Sequence, residues 1–236
     1  MPVTGEINHP RLGRVIIIRR PNNRRATARW RNGAVYLNVP LHTTPSDIIR
    51  LLDGFADRLL AVRPNLIYTI PSQLSFPGID ILLRPQSVAP DRILAKAALP
   101  TSTVEVGSRL NPDDPATVKA ISNTLCAIAR RVAPDILIPR ARQLADSIGR
   151  HPSAWTISRG YRTLGSCSSA GIISLSHVLV FLTQPLRDYV ICHELAHLSE
   201  MNHSPRFHAL LNRYLGGHEA ALTSQLRHYS WPILRK

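Results

Sequence analysis

The sequence predicts an α+β fold in two parts, and three observations carry the prediction. Through about residue 110, short β-rich runs alternate with proline and glycine. From 116 to 148 apolar residues recur with a helical period, and residues 185–198 set a His-Glu-x-x-His motif into an apolar helical stretch. With 236 residues, 44% of them hydrophobic, the chain can bury one large core or two small ones. The polar turn Asn111-Pro112-Asp113-Asp114-Pro115 is the expected boundary. It divides an N-terminal α+β module, residues 1–110, from a second domain, residues 111–236.

Taken in order, Leu12 to Arg20 reads as a strand, and Arg24 to Arg31 pairs with Ala34 to Val39 across Asn32-Gly33, a two-residue hairpin signal. Thr44-Pro45 caps a helix running to about Val62, with Ile48, Leu52, Phe55 and Leu59 in its apolar stripe, and Pro64 ends it. The runs Leu66 to Ile70, Ile79 to Leu83, Arg92 to Ala98 and Thr103 to Val106 read as strands, so the module is expected to be rich in antiparallel pairing. Ala116 to Val132 and Pro134 to Ile148 are helical, with Pro134 and Pro139 expected to break or kink one long helix. Ala154 to Arg159 and Gly171 to Leu175 alternate as strands around the small-residue turn 165–169. The motif helix begins at Pro185, and Pro205 to Leu215 forms a further helix, ended by Gly216-Gly217 and expected to pack beneath it.

The chemistry lies in His193-Glu194-Leu195-Ala196-His197. Residues four apart share a helix face and can aim two imidazoles at one metal, while Glu194 borders the same point and can take a proton from water. Neutral imidazole nitrogens hold Zn²⁺ at about 2.0–2.1 Å and leave a fourth position open. Left as core residues, two imidazoles and a carboxylate would be buried without partners, which is costly. The third ligand is a choice between two residues. His203 follows a sharp turn, since Asn202 tolerates a left-handed backbone and Ser204-Pro205 reads as N-cap plus first helical residue. Glu219, on a downstream segment, is the rival. The local turn favours His203. Cys167, His9, His42, His177, His208, His218 and His228 lack partners at ligand spacing and read as structural or solvated.

The run Arg162-Thr163-Leu164-Gly165-Ser166-Cys167-Ser168 through Gly171-Ile172-Ile173-Ser174-Leu175, then Asp188 to Leu198, then Asn202-His203-Ser204-x-x-Phe207, resembles the YgjP-like metallopeptidase family, relatives of the SprT-like zinc proteases. Arg24-Arg25 and Val39-Pro40 extend the resemblance into the N-terminal module. It implies a zincin-like C-terminal domain, His193, His197 and His203 as zinc ligands, and Glu194 as catalytic base. The chain departs from the family pattern at Leu164, where Trp is usual, at Arg162, one place further upstream than usual, and at His208, where Trp usually follows Phe. These departures fall on the substrate groove and leave the metal motif intact.

Charge and compartment complete the expectation. The chain carries 29 Lys+Arg against 15 Asp+Glu, a net charge of +14. Arg11 to Arg31 contains arginines but no acid, so nucleic acid is a candidate partner through this basic N-terminal patch. The arginines alternate with Ala26, Ala28 and Trp30, so the plainer reading is the solvent face of a half-buried hairpin. No apolar run is long enough to span a membrane, no signal-peptide core is evident, and Cys126, Cys167 and Cys192 do not make a disulfide framework. A cytoplasmic location is therefore expected, and nothing in the sequence sets the oligomeric state. The function expected is a zinc-dependent hydrolase, a metallopeptidase acting on protein or peptide. Two alternatives are a metal-dependent hydrolase of nucleotides or phosphodiesters, for which no phosphate loop is present, and a nucleic-acid-binding module with structural zinc, which would more often use four ligands and many cysteines. Tyr161, Arg159 and Arg162 are candidates to stabilise an oxyanion, and the strand near Ile172 is a candidate peptide-binding edge.

Overall fold

The computed structural model describes every residue except 1–2, 22, 24, 32–33, 62–67 and 235–236. The fold is α+β, with five α-helices and three small mixed sheets among the described residues. Contacts divide the chain into two compact units, Met1–Tyr68 with Asn111–Lys119, and Thr69–Leu110 with Ala120–Lys236.

The first unit holds β1 (Val3–His9), β2 (Gly13–Arg20), β3 (Thr27–Arg31), β4 (Ala34–Pro40) and α1 (Pro45–Ala61). Val15 and Ile17 alternate inward on β2, as Val35, Leu37 and Val39 do on β4, and this face meets Ile48, Leu52, Ala56 and Leu59 of α1. The strand order is β1-β2-β4-β3, with antiparallel hairpins outside and a parallel β2–β4 pair at the centre. The hairpin expected between β3 and β4 is formed, with Trp30 opposite Val35; its Asn32-Gly33 turn lies outside the described residues, as does the expected helix stop at Pro64. Helix α1 starts where Thr44 Oγ1 accepts the Asp47 N–H at 3.2 Å, and at its other end the Leu59 carbonyl accepts from Trp30 Nε1 at 2.6 Å.

The second unit opens with β5 (Ser72–Phe76), β6 (Ile79–Gln86), β7 (Ile93–Lys96) and β8 (Thr101–Gly107). Their order, β5-β6-β8-β7, repeats that of the first sheet, again with the parallel pair central. Both sheets are thus mixed, where alternation alone suggested antiparallel pairing. The run 66–70 makes no strand over its described part, Tyr68 to Ile70, and β5 forms just after it. Helix α2 (Pro115–Ile148) opens with Asp114 Oδ2 accepting from Ala116 N at 2.9 Å and Thr117 N at 3.0 Å, and runs unbroken through Pro134 and Pro139. Each proline removes one backbone donor, at a cost of about 3 kcal/mol. Leu125, Ile128, Ala129, Val132, Ala133, Leu137 and Ala141 are buried on both sides of the prolines, and this packing offsets the loss.

The rest of the second unit is β9 (Ala154–Ser158), β10 (Gly165–Cys167), β11 (Ile172–Ser176), a buried 3₁₀ turn (His177–Phe181), α3 (Gln184–His197), α4 (Pro205–Tyr214) and α5 (Glu219–Arg227). The sheet order is β10-β11-β9. Helix α4 packs beneath α3, with Phe207 and Leu211 against Cys192 and Ala196. Arg140 of α2 grips Asp188 of α3 with two bonds, 2.9 Å and 2.6 Å. Arg187 is 2% exposed and gives its donors to the carbonyls of Leu179, Val180 and Pro77 at 3.2, 3.0 and 3.1 Å. Burial draws this guanidinium down to about 10, still charged at neutral pH, and the three carbonyl dipoles stand in for a counterion. It ties α3 to the 3₁₀ turn and to the β5–β6 corner. No described helix is long and apolar enough to cross a membrane.

Candidate metal centre

Helix α3 forms because Pro185 suits its first turn and Leu186, Val190, Ile191 and Leu195 recur on the buried side. His193 and His197 then share the other face. The helix stops at His197, and α4 restarts at Pro205, where the Ser204 hydroxyl accepts the Phe207 N–H at 3.3 Å. The reversal returns His203, so that the ligand-capable nitrogens of His193, His197 and His203 lie within 4.8 Å of one another. Glu219, the other candidate third ligand, is held elsewhere, its Oε1 2.6 Å from His208 Nδ1. Replacing Ser204 by Ala should cost about 1 kcal/mol, the usual worth of an N-cap, read as a lower denaturation midpoint. Metal content should be unchanged, since no ligand is lost.

Phe207, fully buried, forms the floor of the cluster, its ring centroid 5.0, 4.5 and 4.8 Å from those of His193, His197 and His203. The sequence marks Phe207 as part of the family-like run after His203, with no sign that its ring meets all three imidazoles. The electrostatics favour neutral imidazoles. Burial, helped by the neighbouring histidines, brings His193 down to about 4, and burial also lowers His197. His197 Nδ1 donates to the Glu200 carbonyl at 3.0 Å, which fixes the tautomer and leaves Nε2 as its lone-pair nitrogen. His203 Nε2 and His193 Nε2 are 3.1 Å apart, a separation that requires one proton or one cation between them. Three imidazole nitrogens facing one point fit a borderline divalent metal.

Glu194 is 5% exposed, and burial pushes its carboxyl up to about 7 with no offsetting cation. It lies against β10. A Cβ on Gly165 would stand 2.5 Å from Glu194 Oε1, 2.6 Å from its Cγ and 2.7 Å from its Cδ, so any other residue there would have to displace the Glu194 side chain. The sequence showed Gly165 as part of a small-residue turn, with no sign of this contact. Cys167, the next inward residue of β10, is half-buried, and burial followed by the nearby Glu194 carboxylate raises its thiol, which keeps it protonated.

The edge beside Glu194 is β10. Leu164 accepts from Ser176 N at 2.8 Å and Ser168 N donates to Ile172 at 2.9 Å, so residues 164, 166 and 168 turn their backbones to β11. Gly165 and Cys167 turn theirs to the open edge. Ile172 belongs to β11, the central strand, so the edge strand expected there is instead β10, at 165–167. The reason is that three small residues pair with β11 and cover it. A groove of about 560 Å³ adjoins this edge, lined by Tyr161, Arg162, Thr163, Gly165, Ser166 and Ser174. Tyr161 is engaged by Arg130, whose Nη2 donates to the phenol oxygen at 2.9 Å, and Arg159 is exposed.

The family model described as YgjP-like, metallopeptidase domain, covers residues 24–229. No significant match is found among curated proteins or among solved structures.

Proposed function

The chain belongs to the YgjP-like metallopeptidase family, and from that membership we propose a zinc-dependent peptidase in which His193, His197 and His203 hold the metal and Glu194 is the general base. The family makes it a metallopeptidase-type hydrolase, with protein or peptide as substrate. The observation that carries the finer reading is the convergence of three imidazoles within 4.8 Å beside a buried carboxylate. Three protein ligands, none of them a thiolate, make the donor set of a hydrolytic zinc site.

When bound, the zinc supplies Lewis acidity towards water and towards a carbonyl. Glu194 accepts the proton of the attacking water and returns it to the departing amine nitrogen. Its buried position, with an affinity for protons near neutrality, suits both halves of that task. Glu200, through its carbonyl, keeps His197 oriented, and Phe207 keeps the imidazoles from collapsing inwards. An extended peptide adds to the open edge of β10, bonding to the outward backbone groups of Gly165 and Cys167, and the adjoining groove takes one of its side chains.

The test is cleavage of an unfolded protein by purified enzyme, stripped with a chelator and restored with stoichiometric zinc. Activity should disappear and return, with about one zinc per chain. Hydrolysis of nucleoside triphosphates but not of protein by the zinc-restored enzyme would overturn the reading.

A further inference from the structure

In the first unit, α1 packs on one face of the sheet β1-β2-β4-β3 through the inward residues of β2 and β4. The register sets out the opposite face. One row across the strands runs Glu6, Ile16, Tyr36, Arg29, and the next carries Ile18, Asn38 and Thr27. Ile16, Ile18 and Tyr36 are half-buried on the two central strands, whereas Arg14, Arg20, Arg25 and Arg29 are exposed around them. Charge is segregated between the faces. Glu6 is the acid of this face among the described residues, and Arg14 holds it with bonds of 2.8 and 3.0 Å. The acids of α1 lie with the helix, where Asp47 bonds Thr44, Asp53 bonds His9 and Asp57 bonds Arg11.

We propose that this sheet face binds single-stranded nucleic acid. Tyr36, flanked by Ile16 and Ile18, gives unpaired bases a flat apolar and aromatic surface, and the surrounding arginines meet the phosphates. In a duplex the bases are stacked on one another and cannot lie on a sheet, so the face discriminates by strandedness and not by base sequence. An acidic protein would satisfy the arginines but leave the aromatic centre unused. The net charge of +14 hastens encounter with any polyanion, and the register decides which polyanion stays. This inference is independent of the metal centre.

The experiment is fluorescence anisotropy of the full-length protein with labelled oligouridylate and oligothymidylate, beside a duplex of equal length and polyglutamate as competitors. Single strands should bind more tightly than the duplex or polyglutamate. Arg25→Glu with Arg29→Glu should weaken binding at least roughly tenfold and reduce the salt slope by about 1.4. The same charge change on α1, Arg50→Glu with Arg58→Glu, should weaken it less than about threefold. Tyr36→Ala should weaken it roughly 5- to 150-fold, while Tyr36→Phe stays within about twofold. Should circular dichroism show the alanine variant unfolded, Tyr36→Leu replaces it, with the same loss expected. Equal binding of duplex and single strand, equal displacement by polyglutamate, equal effects of the two arginine pairs, or a neutral Tyr36 variant would each overturn the proposal.

Discussion

Glu194→Gln is expected to lower peptide hydrolysis by about 10²–10⁴-fold, the usual worth of a positioned general base, while metal content stays at the wild-type level. Alanine at His193, His197 or His203 should instead remove the metal, and with it all hydrolysis. The contrast follows from geometry. The three imidazoles face one another within 4.8 Å, whereas Glu194 is buried against Gly165. Glutamine keeps the volume and the contact with β10 but has no basic oxygen, so the site stays assembled and cannot take a proton. Metal per chain by elemental analysis and turnover at matched metal content separate the two roles. Full activity in the glutamine variant would remove Glu194 from the mechanism, and an alanine variant that kept its metal would remove that histidine from the ligand set.

Much of this centre was legible before any coordinates, because its parts are local. Two histidines four apart must share a helix face, and Ser204-Pro205 after Asn202 must stop one helix and start another. Those rules brought His203 back to the pair. The strands with strong alternation, β2, β4, β6 and β8, were legible for the same reason. What was not legible depends on partners distant in sequence. Parallel and antiparallel neighbours share one alternation pattern, so the central β2–β4 and β6–β8 pairs could not be told from antiparallel ones. Gly165-Ser166-Cys167 has little strand propensity and is a strand because β11 lies beside it. Arg187 of α3 is buried because three carbonyls of two other segments converge on it, which nothing in its own stretch of sequence announces. Helix α5 carries no buried residue.

Gly165 yields the sharper test of how the base is held. Gly165→Ala is expected to lower kcat by about 10²-fold, the scale of a 1 Å misplacement of a catalytic group, with fold and metal content retained. The added methyl carbon would meet Glu194 Oε1 at 2.5 Å and its Cγ at 2.6 Å, both closer than carbon contacts allow. Something must move. The backbone of Gly165 is fixed by the pairing of β10 with β11, and the backbone of Glu194 lies within α3 between two histidines, so the displacement falls on the Glu194 side chain. No positive φ is involved at Gly165, so alanine strains only this contact and the strand should persist. The nitrogens proposed to hold the metal belong to other side chains, so metal content should stay while turnover falls. Combining Gly165→Ala with Glu194→Gln separates displacement from general damage. If Gly165 acts only through the carboxylate, the double variant should be no slower than Glu194→Gln alone. A further loss of the same factor in the double variant would show that Gly165 serves the reaction by another route, the open edge of β10 being the first place to look.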